Sequence, residues 1–548
     1  MIRAHKEIIL LIAILIFAAF LRFWKLGVVP AVVTNDELGY IYNAYSLATT
    51  GRNVFGEFLP LFTWVNQGGF PFLPLATYLP IPFYWLFGLS ATIGRLPAAI
   101  LGVGDVLLVY TLTKLLFKKS GLALLSGLFL AISPWHLHFS RSAYDPNFSL
   151  FFYLLGILLF VAEAKKGRIP LFSTISFLLA IYSYRGMNII LFPLSLLLIW
   201  FGVTVLEMKR RQWTAFVIGI AGITASLFIV IMLNGKAYLT AEGSIFGDMR
   251  MQQEIDTQIR EAQGPLVIRR IFLNKPMYIV SKLRENYVKG YSPEFLFLYT
   301  EPNKIYSIWS RGRIFFLDMI FIIPGIAYLY QVNKRAATFV VLLALIAGLP
   351  GMLGGLPYSA RNLLLSTVFP VFAAGGILFV WRSTLISRIR PLVLSILIIS
   401  YSYLLGSYLF DYYGRYAFYS GEAWFQSLKE VSYTILENKD RYDETIVGTA
   451  SFGDLLQYAF YAQLNPRDVQ TAWQTQEQNS NIKFSLHDIS FTTECLSIDE
   501  KNPALFQESK AILYIVHESC NKSATPSALI KDYPGNTVWK VYKLENYE

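Results

Sequence analysis

The stretch Thr34-Asn35-Asp36-Glu37-Leu38-Gly39-Tyr40 sets two adjacent carboxylates and a tyrosine just past the first long apolar run. Carboxylates at the mouth of an apolar bundle are costly unless they are used or well solvated. The chemistry they suit is general-base assistance. A carboxylate takes the proton of an acceptor hydroxyl as that oxygen attacks an electrophilic carbon, which is worth about 10²–10⁴ in rate. The same residues also read as a solvated turn or a helix start, since Asn35 and Asp36 are good capping residues.

A second cluster runs Ser133-Pro134-Trp135-His136-Leu137-His138-Phe139-Ser140-Arg141-Ser142-Ala143-Tyr144-Asp145-Pro146-Asn147, between two apolar runs. Arg141 and Asp145 are four apart and can simply pair across one helical turn. In a functional role, Arg141 would balance a phosphate and Asp145 would orient a sugar or a cation. His136 and His138, two apart, face different ways on a helix; with Trp135 they suit interfacial anchors. Arg95, Arg185 and Arg361 stand near the ends of other apolar runs. The planar guanidinium fork fits phosphate oxygens, and several arginines converging on one site would stabilise a lipid-phosphate leaving group. Taken singly, each is equally an anchor whose stem snorkels to water. Glu242, Asp248 and Glu301 are further candidates for an acceptor or a metal.

These side chains need a scaffold, and composition settles its class. The 548 residues are 55% hydrophobic and only 15% charged, with a mean hydropathy of +0.46; an ordinary soluble domain is about 25% charged. The net charge is +11. It is not a contiguous basic patch of the kind that tracks phosphates of nucleic acid. It falls in short clusters between apolar runs: Lys118–Lys119, Lys165–Lys166–Arg168, Lys209–Arg210–Arg211, Lys334–Arg335 and Arg382–Arg388–Arg390. That is the pattern of cytoplasmic loops under the positive-inside rule.

A span needs about 20 mostly apolar residues. The runs at 7–26, 93–117, 119–135, 147–163, 169–184, 187–206, 213–234, 313–331, 336–353, 362–381 and 391–410 predict an all-α polytopic bundle of about eleven transmembrane helices. The first run has no small-residue cleavage site after it, so it reads as a span with the N-terminus inside, not a signal peptide. Residues 1–410 form the membrane domain, with long external loops at 27–92 and 235–312. Residues 411–548 are less apolar and predict a small extracytoplasmic α/β domain, with strands at 445–450, 511–517 and 537–544 and a helix at 451–464. Residues 248–262 predict a surface helix, and the aromatic stretch 287–301 suits a cover over an opening to the membrane. Cys495 and Cys520 are the only cysteines; an oxidising compartment would allow them to bridge, and two unpaired thiols are the alternative.

Taken in order, these motifs resemble the membrane-embedded, GT-C-type glycosyltransferases that use lipid carriers, among them the protein O-mannosyltransferases and the bacterial aminoarabinose transferases. The resemblance rests on Asp36-Glu37-Leu38-Gly39-Tyr40 after the first span and on Gly94-Arg95-Leu96-Pro97 at the start of the second. It continues through Ser133-Pro134 and Ser140-Arg141, then Ser292-Pro293-Glu294-Phe295-Leu296-Phe297, then Arg361 followed by Pro370, covering about the first 410 residues. Where the aminoarabinose transferases carry Lys-Pro-Pro, this chain has Gly69-Phe70-Pro71-Phe72, and Asn362 stands where a tyrosine is usual.

The resemblance implies a GT-C-like fold in a plasma (inner) membrane and a polyprenyl-phosphate sugar as donor. The acceptor hydroxyl would belong to a protein, lipid or glycan, and attack would invert the sugar carbon. Carried over, Asp36 is the base or the carboxylate that orients the acceptor and Glu37 its support, while Tyr40, Arg95, Arg141, Asp145 and Arg361 bind substrate or lipid phosphate. No cofactor is implied, and a divalent metal is left open. Two other readings stand beside it. A lipid-glycan flippase would carry charges at mid-depth, where Asp105 is the exception in the second span. A membrane assembly factor would tolerate the loss of Asp36.

Overall fold

The computed structural model describes residues 2–64, 72–234, 245, 250–298, 301–308, 311–354, 359–384, 387–475, 483–496, 498, 511–520 and 524–544. Glu242, Asp248 and the stretch Gly69-Phe70-Pro71 lie outside them. The fold is mostly helical with a small C-terminal sheet. Among the described residues, seven helices are long and apolar enough to cross a membrane: Ala91–Phe117, Asp145–Lys165, Arg185–Thr204, Arg210–Leu233, Lys334–Met352, Leu365–Arg382 and Arg390–Ser420. Three shorter apolar helices, Ser120–Ile132, Leu171–Ile181 and Asp318–Val332, fall on other expected spans, as does Ile2–Phe23 at the start. A helix is the natural state of such runs, because it satisfies every backbone polar group without water. The protein is a multi-pass membrane protein.

The chain forms two compact units, one of Met1–Trp24, Ala98–Arg141 and Asp145–Tyr408, the other of Lys25–Pro97, Ser142–Tyr144 and Leu409–Glu548. The first holds most of the helical bundle. Its helices Asp318–Val332 and Leu365–Arg382 meet backbone to backbone. A Cβ added to Gly325 would strike the Phe372 carbonyl, and one added to Gly376 the Phe321 carbonyl. Small residues at such a crossing are how membrane helices approach closely.

The second unit is built on a six-stranded mixed sheet. Its strands are β1 (Glu444–Gly448), β2 (Lys483–Leu486), β3 (Ile489–Thr492), β4 (Ile512–His517), β5 (Ala528–Lys531) and β6 (Thr537–Leu544), in the order β2-β3-β1-β4-β6-β5. β1 runs parallel to β3 and β4; the other pairs are antiparallel. The alternation expected at 537–544 and the buried runs at 445–450 and 511–517 became β6, β1 and β4. Cys495 and Cys520 are joined in a disulfide.

Within the second unit, the loop before the second span joins the tail. Its helix Asn35–Thr50 packs against the tail helices Phe452–Tyr461 and Pro466–Gln474. Leu38, Ile41, Val54 and Phe55 share one apolar core with Leu455, Val469, Phe484 and Ile515. Phe55 lies against Phe452 and meets Trp473 edge-on, with ring centres 5.5 and 4.6 Å away.

Candidate active site

The helix Asn35–Thr50 is capped by Thr34, whose Oγ1 accepts from Glu37 N at 3.1 Å. Neither Asn35 nor Asp36 is the cap. Both carboxylates therefore sit in the first helical turn, where the helix dipole favours negative charge. Successive helical residues point about 100° apart, so the two side chains go to different places.

Glu37 turns inward and is fully buried. Its Oε1 accepts from Arg95 Nε at 3.0 Å and from the Ala143 backbone N at 2.7 Å; its Oε2 accepts from Arg95 Nη2 at 2.8 Å. Arg95 also donates to three carbonyls of the preceding loop, Leu26 at 3.2 Å, Pro30 at 2.8 Å and Val32 at 2.8 Å. A guanidinium has five N–H donors, and all five are engaged here. Trp424 lies against the same guanidinium, 5.7 Å from ring centre to Cζ. The arrangement ties together the helix, the loop before it and the segment Ser142–Tyr144. Tyr144 adds a second tie, its hydroxyl 2.5 Å from Thr34 Oγ1. The expected phosphate role of Arg95 does not fit this geometry, because no donor is left over. Glu37 likewise faces protein, not solvent.

Asp36 turns outward and is exposed. It makes no hydrogen bond or ion pair among the described residues. Protein crowds round it all the same. That partial burial, and then the charge of Glu37, raise its carboxyl above the ordinary aspartate value. Asn35, beside it, is held by Gln457 of the tail, whose Nε2 donates to Asn35 Oδ1 at 3.1 Å and to the Val33 carbonyl at 2.9 Å. Tyr40, one turn on, is buried and lies over Phe72 with ring centres 4.2 Å apart.

The other expected residues belong to the first unit. Arg141 is buried, and its Nη1 donates to the carbonyls of Leu21 and Arg22 at 2.9 and 2.8 Å. A cation bound there stabilises the C-terminal end of Ile2–Phe23. Asp145 begins the next span, and Arg361 precedes another. Both are half-buried, and both act on Tyr184, a residue the sequence did not single out. Burial raises the Tyr184 phenol above its ordinary range although its ring is only half covered; the charges of Arg361, Asp145, Arg185 and Glu301 act on it as well.

Glu301 is already engaged. It accepts from Arg313 Nη2 at 3.0 Å and from the Ser359 backbone N at 3.0 Å, and it also bonds the Ser359 hydroxyl. His136 and His138 are buried, where anchors at the membrane surface would face water. His138 Nε2 lies 2.7 Å from the Ile305 carbonyl. His136 sits between Arg22 Nη2, 2.8 Å from its Nδ1, and Asp105 Oδ2, 3.0 Å from its Nε2. An arginine only donates, so Nδ1 is the acceptor and Nε2 carries the proton given to Asp105. The mid-span charge at Asp105 is thus compensated within the bundle. Among the described residues, no three His, Cys, Asp or Glu side chains gather as metal ligands would.

Residues 71–233 match the family described as dolichyl-phosphate-mannose-protein mannosyltransferase. No curated protein sequence matches the chain. Among solved structures, the chain is similar to the oligosaccharyltransferase AglB of Archaeoglobus fulgidus, solved with an inhibitory peptide and a dolichol-phosphate. Identity is 13%, covering 84% of this chain and 64% of that one, with a TM-score of 0.50. The chain thus spans less than two thirds of that enzyme's length. ArnT of Cupriavidus metallidurans aligns over 98% of both chains at 14% identity and a TM-score of 0.43. The Pmt1-Pmt2 complex of S. cerevisiae aligns over 47% of this chain and 37% of that one, at 18% identity and a TM-score of 0.32. The chain therefore matches that family's model over residues 71–233 and shares its mostly helical fold with the archaeal oligosaccharyltransferase.

Proposed function

We propose that the protein transfers a sugar from a polyprenyl-phosphate carrier to a hydroxyl acceptor at the extracytoplasmic face of the membrane. The observation that supports this most is the division of labour between Asp36 and Glu37. One carboxylate of the pair is consumed by structure, and the other is exposed, unpartnered among the described residues and raised in pKa. A base needs to be reachable and to have a pKa near the working pH. Asp36 is exposed, and its carboxyl is raised above the ordinary aspartate value.

In the proposed step the acceptor oxygen forms a bond to the anomeric carbon as its proton passes to the Asp36 carboxylate. The bond from that carbon to the phosphate oxygen breaks, and the electron pair leaves with the polyprenyl phosphate. A single displacement inverts the sugar carbon. Arg361 and Arg185, whose charges converge on Tyr184, are the proposed cations for the lipid phosphate. Asp145, beside them, is proposed to orient the sugar, and Tyr40 to bind the acceptor side. Glu37, Arg95 and Arg141 act as positioning residues. The donor class also has the family match over 71–233 in its favour.

Two independent features support the proposed orientation. The basic clusters suit short loops in the cytoplasm. The Cys495–Cys520 disulfide suits an oxidising compartment for the C-terminal unit.

The test is sugar release from labelled polyprenyl-phosphate mannose, glucose, galactose and aminoarabinose by full-length protein in lipid, with a membrane extract supplying acceptors. Turnover that collapses in Asp36→Asn supports the reading and identifies the donor. Equal turnover in wild type and variant removes Asp36 as the base.

A further inference from the structure

Beyond the reaction, the segment between the spans Arg210–Leu233 and Lys334–Met352 carries a surface that water alone does not explain. Its helices are Met251–Glu261, Leu266–Phe272 and Lys275–Lys289. Met251 and Ile255 of the first pack on Tyr278 of the third, which gives the segment a small core of its own. Yet Leu266, Val267, Ile268, Ile271, Phe272 and Val280 are exposed, Val267 at 72% and Phe272 at 68%. Contiguous apolar exposure of this kind marks an interaction site.

Charge and position identify what covers it. Between Glu261 and Glu285 there is no Asp or Glu, while Arg269, Arg270, Lys275, Lys282 and Arg284 all fall there. Arg269 is turned back to the carbonyls of Ile259 and Ala262, and Lys282 faces Glu254 and Glu285. The side chains of Arg270, Lys275 and Arg284 are exposed and enter no hydrogen bond or ion pair among the described residues. Apolar and cationic side chains therefore share one surface.

The last helix is fastened to the end of a span. Tyr287 and Tyr291 donate to the carbonyls of Leu345 and Ala344, at 3.0 and 2.7 Å, and Asn286 donates to that of Met352 at 3.3 Å. This is the end of Lys334–Met352 remote from its basic cluster, so the segment leaves the bundle at the outer membrane boundary.

We infer that residues 265–289 lie in the outer-leaflet interface. The exposed apolar side chains enter the acyl boundary, and Arg270, Lys275 and Arg284 bind the phosphates of anionic phospholipids. Apolar burial combined with basic residues is how an interfacial helix holds an anionic surface.

Both cysteines are in the disulfide, so a single added cysteine can be labelled selectively. Full-length Val267→Cys carrying an NBD fluorophore is reconstituted in phosphatidylcholine, with or without phosphatidylglycerol. Gln253→Cys, on an exposed polar face of the first helix, is the aqueous control. The expected result at 267 is blue-shifted emission, quenching by lipids with a doxyl group near the headgroup, and shielding from iodide, all enhanced by phosphatidylglycerol. Adding Arg270→Glu and Lys275→Glu should abolish that enhancement. Iodide quenching at 267 equal to that at 253 overturns the inference. So does shielding from iodide without doxyl quenching, which would mean that protein covers the surface. Equal behaviour in both lipid mixtures overturns the anionic preference.

Discussion

The Arg95 guanidinium grips the Glu37 carboxylate with two parallel bonds, Nε to Oε1 at 3.0 Å and Nη2 to Oε2 at 2.8 Å, while Asp36 next door is left to solvent. Neighbours in sequence, the two acids have opposite fates, and the clearest tests come from treating them separately.

Asp36→Asn keeps the shape of the side chain and removes only the base. We predict that turnover falls by about 10²–10⁴, with thermal stability lowered by no more than about 1 kcal/mol through the lost charge at the helix start. Glu37→Gln should behave in the reverse manner. It leaves the Arg95 cation buried without its counter-charge, which typically costs about 3–5 kcal/mol. Melting of the purified variants alongside single-turnover rates separates the two cases. A strongly destabilised Asp36→Asn would mean the assignment is reversed.

The pH profile has a definite sign. The Asp36 carboxyl lies above the ordinary aspartate value of about 3.9. As a base it works only when ionised, so the rate should climb with pH and level off once that raised pKa is passed. Part of the elevation comes from the charge of Glu37. Removing that charge lets Asp36 ionise more readily, so the rising limb in Glu37→Gln should move to lower pH. A limb that stays in place would show that another group titrates.

Gln457 of the tail braces Asn35, the neighbour of the proposed base. Gln457→Leu removes its bonds to Val33 and Asn35, at 2.9 and 3.1 Å, each worth about 0.5–1.5 kcal/mol. The expected kinetic signature is a fall in kcat with little change in KM for the donor, because Asn35 and Asp36 shift while the donor's contacts remain. A rise in KM alone, with kcat intact, would assign Gln457 to binding instead.

The disulfide is testable by itself. It joins residues 25 apart, and a loop of that length is worth about 3–4 kcal/mol. Cys495→Ser with Cys520→Ser should lower the melting temperature of the tail and make residues 511–520 easier to cleave. Two freely reactive thiols in the native, unreduced protein would refute the bridge.

The spans were legible because a long apolar run has few other uses, and the observed helices fall on the expected runs. The strands β1, β4 and β6 were legible for the same reason on a shorter scale. The exposed carboxylate was also within reach, since a Thr-Asn-Asp-Glu start to a helix limits where each side chain can point. What the sequence could not supply was the partner. An arginine at the start of a span reads equally as anchor, phosphate ligand or ion pair, and Glu37 is 58 positions from Arg95. The Ala143 amide that completes the site is 106 positions from Glu37, and Gln457 is 422 from Asn35. Tyr184 carried no motif; only folding sets it among Asp145, Arg185, Arg361 and Glu301.

Because the second unit is assembled from Lys25–Pro97, Ser142–Tyr144 and Leu409–Glu548, its parts reach completion at very different times during synthesis. Roughly 300 residues separate the first segment from the last, an interval of about 15–60 s at ~5–20 residues per second. Throughout it, the apolar face of Leu38, Ile41, Val54 and Phe55 has no tail to close against. A ribosome that stops early therefore releases a chain with that face still open, and proteases in the same compartment should cut it within residues 25–97. The helix Asn35–Thr50 thus becomes a finished structure only after residues 409–544 have been made, so its folding reports on the synthesis of a segment hundreds of residues downstream.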